Sequence, residues 1–389
     1  MNDLPNDIAV TCDETMTGLS WRPEDAQFAD DPSEYYRWLR NESPVHAHES
    51  SNSFFLSRFE DVWRATEDWQ TFSSESPVAR LRHMASSDPP DHDRLRACVA
   101  KFFSPRAIAA LEPRVRKICR ELLEPLESED RFDLAHRFTT RYPSLVIHRL
   151  LGVPLELDEV LRSAALSIGS ATDATDLSKT MEQLEEVTAQ VIQNDSPPDE
   201  PGILQRVKAE FGPSQLSIDE LRGLCSNLVL AGTDTVTNLI GNGVVLLSRH
   251  HEARGRLVRS PQGIASAVEE MLRFDSPVQS LARRVTRDVT LHGVRIPKGA
   301  EIRLQWGAAN RDEREFNEPD SFLIDRRTRR HLALGHGRHF CLGAGLARLE
   351  ARVAFEELLL RWPDLQINDA NLRRLPSLWV RAWEGIEIS

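Results

Sequence analysis

Leu334 to Gly343 reads LGHGRHFCLG, so one cysteine, Cys341, stands among three glycines directly before a long helical pattern. Glycine lets the backbone turn sharply and approach a flat ligand closely. A cysteine at a helix start faces unpaired backbone N–H groups and the positive end of the helix dipole. Both stabilise a thiolate, the form of the side chain that binds iron. Read from cysteine and glycines alone, the segment fits equally well a buried structural cysteine beside a glycine-rich turn.

Three further groups carry chemistry. Ala231-Gly232-Thr233-Asp234-Thr235 falls halfway along a long apolar helix, where glycine, aspartate and threonine are poor or mediocre formers. An aspartate there is costly unless hydrogen-bonded. The Thr235 hydroxyl is placed to bond back to the Ala231 carbonyl and distort the helix, which would leave room for a small ligand. A structural kink capped by Asp234 is the plainer alternative. His92 and Arg96 lie four apart on one helix face, at the edge of a stripe formed by Leu95, Val99 and Phe102. An anion would suit them, and arginine suits carboxylates, although a solvated pair is the simpler reading. Glu270-x-x-Arg273 faces away from Ile264, Val268 and Met271 on a helical wheel, which predicts an exposed salt bridge worth little.

Four helices must position these residues. One follows Pro89-Pro90 to about Phe103. A second starts at Ser217, where Ser217-Ile218-Asp219-Glu220 fits a capping box, and stays apolar on nearly every side through Leu247. It should cross the middle of the molecule. A third opens at Ser260-Pro261 and ends near Phe274 before Pro277. The fourth follows Cys341 to about Leu360. Expected strands are short: Ser53–Ser57, Val289–Ile296, Glu301–Trp306 and Trp379–Ile388. Asn194 to Pro201, NDSPPDEP, is the most plausible exposed loop.

Gly335-x-Gly337-x-His339-x-Cys341-x-Gly343, continuing through Ala344-Gly345-Leu346-Ala347-Arg348-Leu349-Glu350, resembles the heme-binding loop of the cytochromes P450. The resemblance spans about residues 88 to 350, with five motifs in order. It implies a mainly helical fold with a small β-rich lobe enclosing heme b (iron protoporphyrin IX), with Cys341 as the iron ligand. A thiolate in that place pushes electron density onto the iron and favours O–O cleavage. By the same resemblance Asp234 and Thr235 match an acid–alcohol pair that conducts protons for oxygen activation. Ala231 and Gly232 match small residues that leave space above the iron. His92, Arg96, Arg283 and His339 bind heme propionates, with Arg284 a neighbour that competes for the place of Arg283. Leu334, Gly335 and Gly343 belong to the loop around the cofactor. The family usually has Phe at the position of Leu334, so redox potential and reduction rate are not carried over. Glu270 and Arg273 match a scaffold pair that packs on a later arginine, here Arg326.

The activity so implied is a monooxygenase that inserts one atom of O2 into a C–H bond of a small or medium hydrophobic molecule. No GxGxxG follows a strand, so electrons are expected from another protein, and the resemblance implies a separate ferredoxin with an NAD(P)H-dependent reductase. Arg106, Arg114, Arg116, Lys117, Arg338 and Arg348 would form a basic patch that steers it. Substrate contacts are expected from Ser76–Ser87, Ala164–Leu177, Asn227–Thr235, Val278–Leu281 and Leu378–Val380, with Arg80, Arg82 and His83 as possible partners for a substrate carboxylate. Two other classes stay open: a heme-thiolate enzyme needing no external electrons (an isomerase, dehydratase or peroxygenase), and a non-catalytic heme- or lipid-binding protein. The intact Asp234-Thr235 pair speaks against the first.

The 389 residues are 40% hydrophobic and 28% charged, ordinary for a folded chain, and are read as a single domain with 1–20 a candidate disordered segment. The net charge of −12 disfavours nucleic acid as a general partner. No run of about 18 apolar residues predicts a membrane span. Five scattered cysteines and no signal-like start point to reduced thiols and the cytoplasm.

Overall fold

The computed structural model describes residues 28, 30–48, 53–75, 81–169, 174–193, 201–213, 215–328, 330–375, 377 and 379–388. Most of the NDSPPDEP segment, Cys12, residues 1–20, Arg80 and Leu378 lie outside them. The helices that build the site are α1 (Asp91–Ala100), α2 (Pro105–Leu123), α3 (Tyr142–Leu151), α4 (Asp158–Gly169), α5 (Ala174–Gln193), α6 (Ile218–Arg249), α7 (Ile264–Phe274) and α8 (Ala344–Arg361). In α6 the capping box forms as read: the Glu220 N–H donates to Ser217 Oγ, and the Ser217 N–H donates to the Glu220 carboxylate. Its 32 residues run about 48 Å at about 1.5 Å per residue. It packs on α3, α4, α5 and α8 and is buried along most of its length. A Cβ on Gly243 would come within 2.4 Å of the Phe355 ring and 2.7 Å of Met271 Sδ, so glycine sets how closely α6 meets α7 and α8. Among the described residues no helix is long and apolar enough to cross a membrane.

The β-rich lobe holds β1 (Val45–His48), β2 (Ser53–Leu56), β3 (Phe72–Ser73), β4 (Ser280–Val285), β5 (Val289–Leu291), β6 (Val294–Ile296) and β7 (Glu301–Gln305). Five of these make one sheet in the order β1-β2-β7-β4-β3, with only β2 and β7 parallel. Arg283 opposes Ile302 and Arg284 opposes Glu301. Alternation along β4 therefore buries Arg283 and exposes Arg284, which separates the two neighbours.

Several expectations are corrected. Val289–Ile296 is a hairpin, not one strand, because His292 and Gly293 take positive φ (48° and 79°) between β5 and β6, a primed turn matched to strand twist. Trp306 leaves the sheet and opens a short helix, Trp306–Ala309. In the C-terminal segment only Glu387–Ile388 is a strand, paired with Phe132–Asp133. Cys341 sits three residues before the first residue of α8.

The largest correction concerns Glu270 and Arg273, whose side chains are both 0% exposed. Their bidentate pair (2.8 Å for both bonds) is extended by Arg326 Nε and the Leu323 N–H, which donate to Glu270. Arg273 in turn donates to the carbonyls of Asn310, Pro319 and Ser321. The face of α7 that a wheel assigns to solvent is covered by the 310–326 segment, which single-helix periodicity cannot register.

Candidate functional site

A cavity of about 1290 Å³, counting its mouth, opens between α6 on one side and the cysteine loop with α8 on the other. The loop is built for close approach. Gly335 and Gly337 adopt φ of +69° and +65°, which side chains rarely tolerate. The Cys341 N–H donates to the Leu334 carbonyl at 2.8 Å. Outside, His336 stacks on Trp63 at 3.4 Å between ring centroids and meets Glu67 at 2.8 Å. Two bonds tie the loop to α1: Arg338 donates to Asp93 at 2.9 Å, and Arg96 to the Phe340 carbonyl at 2.8 Å.

Cys341 lines the cavity with Leu334, Gly343, Leu346 and Ala347. Burial pushes its thiol up, while a backbone hydrogen bond from Gly343 and the charges of Arg96 and Arg348 pull it down. A metal cation would complete the stabilisation of the thiolate. Among the described residues no group of three His, Cys, Asp or Glu gathers to hold an ion. A metal on Cys341 must therefore bring most of its ligands with it, as iron in a macrocycle does.

One stretch of the wall is cationic. His92, Arg96, Arg283 and His339 all line the cavity, and the rings of His92 and His339 are 4.3 Å apart. His92 uses Nδ1 on Asp93 at 2.8 Å, which leaves its buried Nε2 without a partner among the described residues. It is 1% exposed, not at the stripe's edge as the wheel suggested. Among the described residues Arg283 donates only to the carbonyl of Ala282, at 2.9 Å, and burial pulls its pKa down to about 10 against the opposing charge of Asp88. Burial, reinforced by Arg283, His92 and Arg96, lowers His339 to about 3; its Nε2 meets Ser74 Oγ at 3.0 Å. Buried Arg283 and half-buried Arg96, neither bonded to a carboxylate among the described residues, beside two imidazoles, suit a ligand that brings carboxylates of its own. A cavity with largely apolar walls, a thiol and this cluster fit heme with its propionates.

On the α6 side, Ala231, Gly232 and Thr235 line the cavity. Thr235 Oγ1 donates to the Ala231 carbonyl at 2.8 Å, as its position in the helix suggested, yet α6 continues unbroken. A Cβ on Gly232 would lie 2.7 Å from Ile147. Asp234 and Gly335 are not in the wall. Asp234 accepts from Asn238 at 3.1 Å, and burial raises it to about 6 despite that bond. Gly335 sits one layer back, where a Cβ would meet the Trp306 ring at 3.6 Å.

Sequence reasoning missed three residues. Glu350 lines the cavity, is 1% exposed and leaves Oε2 unpartnered; burial raises it well above the usual carboxylate range. Its signal was a carboxylate one turn after Leu346 on an apolar stripe. Trp306, with an unpartnered Nε1, was hidden by its assignment to a strand. Ser74 gave no signal. Among the expected substrate segments, Met84, Ala85, Val278 and Leu281 reach the cavity, whereas none of Ala164–Ile168 does. The expected basic patch is largely neutralised. Arg116 is held by Glu112, Glu356 and Glu357, Arg348 by Glu269, Arg338 by Asp93 and Lys117 by Glu121. Phe340, next to Cys341, is 40% exposed.

The family model described as Cytochrome P450 matches residues 264–368. Cytochrome P450 130 of Mycobacterium tuberculosis is 36% identical over 369 residues, covering 88% of this chain and 90% of that protein. The polyketide biosynthesis cytochrome P450 PksS of Bacillus subtilis is 31% identical over 96% of this chain and 99% of its own. The crystal structure of CYP109E1 from Bacillus megaterium in complex with testosterone superposes with a TM-score of 0.87 at 30% identity, over 94% of this chain and 99% of that one.

Proposed function

This chain belongs to the cytochrome P450 family of heme-thiolate monooxygenases, and from that premise we propose that it inserts one oxygen atom of O2 into a C–H bond of a small or medium hydrophobic molecule, using electrons from a separate ferredoxin and its NAD(P)H-dependent reductase. The observation that carries the reading is the Cys341 thiol in one wall of an apolar cavity, faced by Ala231, Gly232 and Thr235. Cys341 would ligate the iron. His92, Arg96, Arg283 and His339 would hold the propionates, and Leu334, Gly335 and Gly343 would shape the loop beneath the ring. Bound heme supplies the iron that activates O2. The apolar walls bind substrate and exclude water, and Gly232 keeps α6 close to α3 without filling the space.

Protons are the task of Asp234 and Thr235. The Thr235 hydroxyl gives its hydrogen to the Ala231 carbonyl, so its lone pairs are turned toward incoming donors. Asp234, raised to about 6, can hold a proton near neutral pH and release it, as general acids do. The ferredoxin would approach the side of Cys341, where Phe340 is exposed and Arg338 and Arg348 are already paired with carboxylates. This supports a contact with an apolar centre and a weaker dependence on salt than an open basic patch would give. Substrate-dependent O2 uptake by the purified holoprotein tests the reading. It should require ferredoxin, reductase and NAD(P)H together; turnover with none of them would favour an isomerase or dehydratase.

A further inference from the structure

Helix α6 carries three asparagines, and two are engaged. Asn238 donates to Asp234 at 3.1 Å. Asn242 donates to the Arg381 carbonyl at 3.0 Å and accepts from Arg374 at 2.7 Å. Asn227 has no hydrogen-bond partner among the described residues, and it lines the cavity. Asparagine is a mediocre residue for a helix interior, and an uncommitted amide in an apolar wall adds a desolvation cost. The same cavity is lined by Met84, Leu228, Val278 and Leu281. Asn227, Ala231 and Thr235 follow at i, i+4 and i+8, on one helix face. The amide therefore stands ~6 Å along the axis from Ala231 and ~12 Å from Thr235. The nearby loop cation Arg82 is turned to solvent and paired with Asp91, so it offers no charge to a ligand here.

We propose that Asn227 is a specificity-determining residue whose amide binds a neutral hydrogen-bonding oxygen, a ketone or hydroxyl, on an otherwise apolar substrate. The proposal rests on the monooxygenase reading of the same cavity. An amide donates to a ketone and accepts from a hydroxyl, and in an apolar wall where it is half-buried it favours molecules that satisfy it over hydrocarbons of equal shape. Oxidation would then fall roughly 6–12 Å from that oxygen, one to two helical turns along α6.

The test uses the holoprotein and matched ring pairs: adamantane with 2-adamantanone, cyclododecane with cyclododecanone, and decalin with 2-decalone. Each is titrated by the low- to high-spin absorbance shift. The ratio of hydrocarbon to ketone Kd cancels most of the hydrophobic difference between proteins. Asn227→Leu and Asn227→Ala should each lower that ratio about five- to tenfold, the worth of one net hydrogen bond, while hydrocarbon binding is kept. An unchanged ratio in every pair that binds, or no binding of any ketone to the parent protein, overturns the proposal. Heme content and the reduced-CO band of the same samples report separately on the monooxygenase reading, so its failure would be distinguishable.

Discussion

Asp234 ties mechanism to stability with a definite sign. Its pKa is raised from 3.8 to about 6 in the folded protein, first by burial. In the unfolded chain it ionises near its ordinary value of about 3.9. Below that pH both states are protonated and the residue is neutral to stability. As pH rises through the window from about 4 to about 6, the unfolded state loses the proton and the native state keeps it, so stability falls. Above about 6 the penalty is constant. A shift of about two units at about 1.36 kcal/mol each gives a full cost of about 3 kcal/mol. Asp234→Asn keeps the shape and cannot ionise, so its advantage over the parent protein should grow with pH. Urea unfolding of both holoproteins at pH 5 and pH 7.5 should show that advantage increasing by about 1.4 kcal/mol, the part of the window above pH 5. Turnover should meanwhile fall on the order of 10²-fold, as when a general acid is removed. A stability difference independent of pH, or a variant of full activity, would refute the reasoning.

Three further outcomes follow from the geometry. Glu270→Ala leaves Arg273 and Arg326 with uncompensated charge and should cost about 3–5 kcal/mol, read as a lowered urea midpoint; a loss under 1 kcal/mol would mean that the buried pair is dispensable. Arg283→Leu should speed heme loss to an apomyoglobin acceptor at least tenfold with the reduced-CO band unshifted, whereas Arg284→Leu, on the exposed face, should leave the rate unchanged; equal effects would count against a propionate role for Arg283. Gly232→Val drives a branched side chain into Ile147, only 2.7 Å from the position of its Cβ, and should destabilise the fold by about 1–3 kcal/mol while weakening hydrocarbon binding; unaltered binding would show that α3 yields.

Much of the site was legible because its signals are local. The capping box at Ser217, the glycines around Cys341 and the back-bond of Thr235 are written within a few residues of the groups they govern. His92 and Arg96 were legible as a pair on one helix face, but the depth of His92 depended on the cysteine loop closing over α1. What periodicity misjudged was decided by distant segments. The 310–326 stretch covers Glu270 and Arg273, and Asp93, Glu112, Glu269, Glu356 and Glu357 claim cations that seemed free. Glu350 was hidden in the opposite way: a charged letter on a helix reads as surface until a cavity is found beside it.

The proposed bond between the Cys341 sulfur and iron is tested most directly by Cys341→Ser, purified with heme and reduced under carbon monoxide. The variant should lose the red-shifted absorbance that gives the family its name, since a hydroxyl cannot supply the thiolate's electron density. An unchanged band in a protein that retains its heme would show that another residue holds the iron, and the oxygen chemistry assigned to this cavity would fall with it.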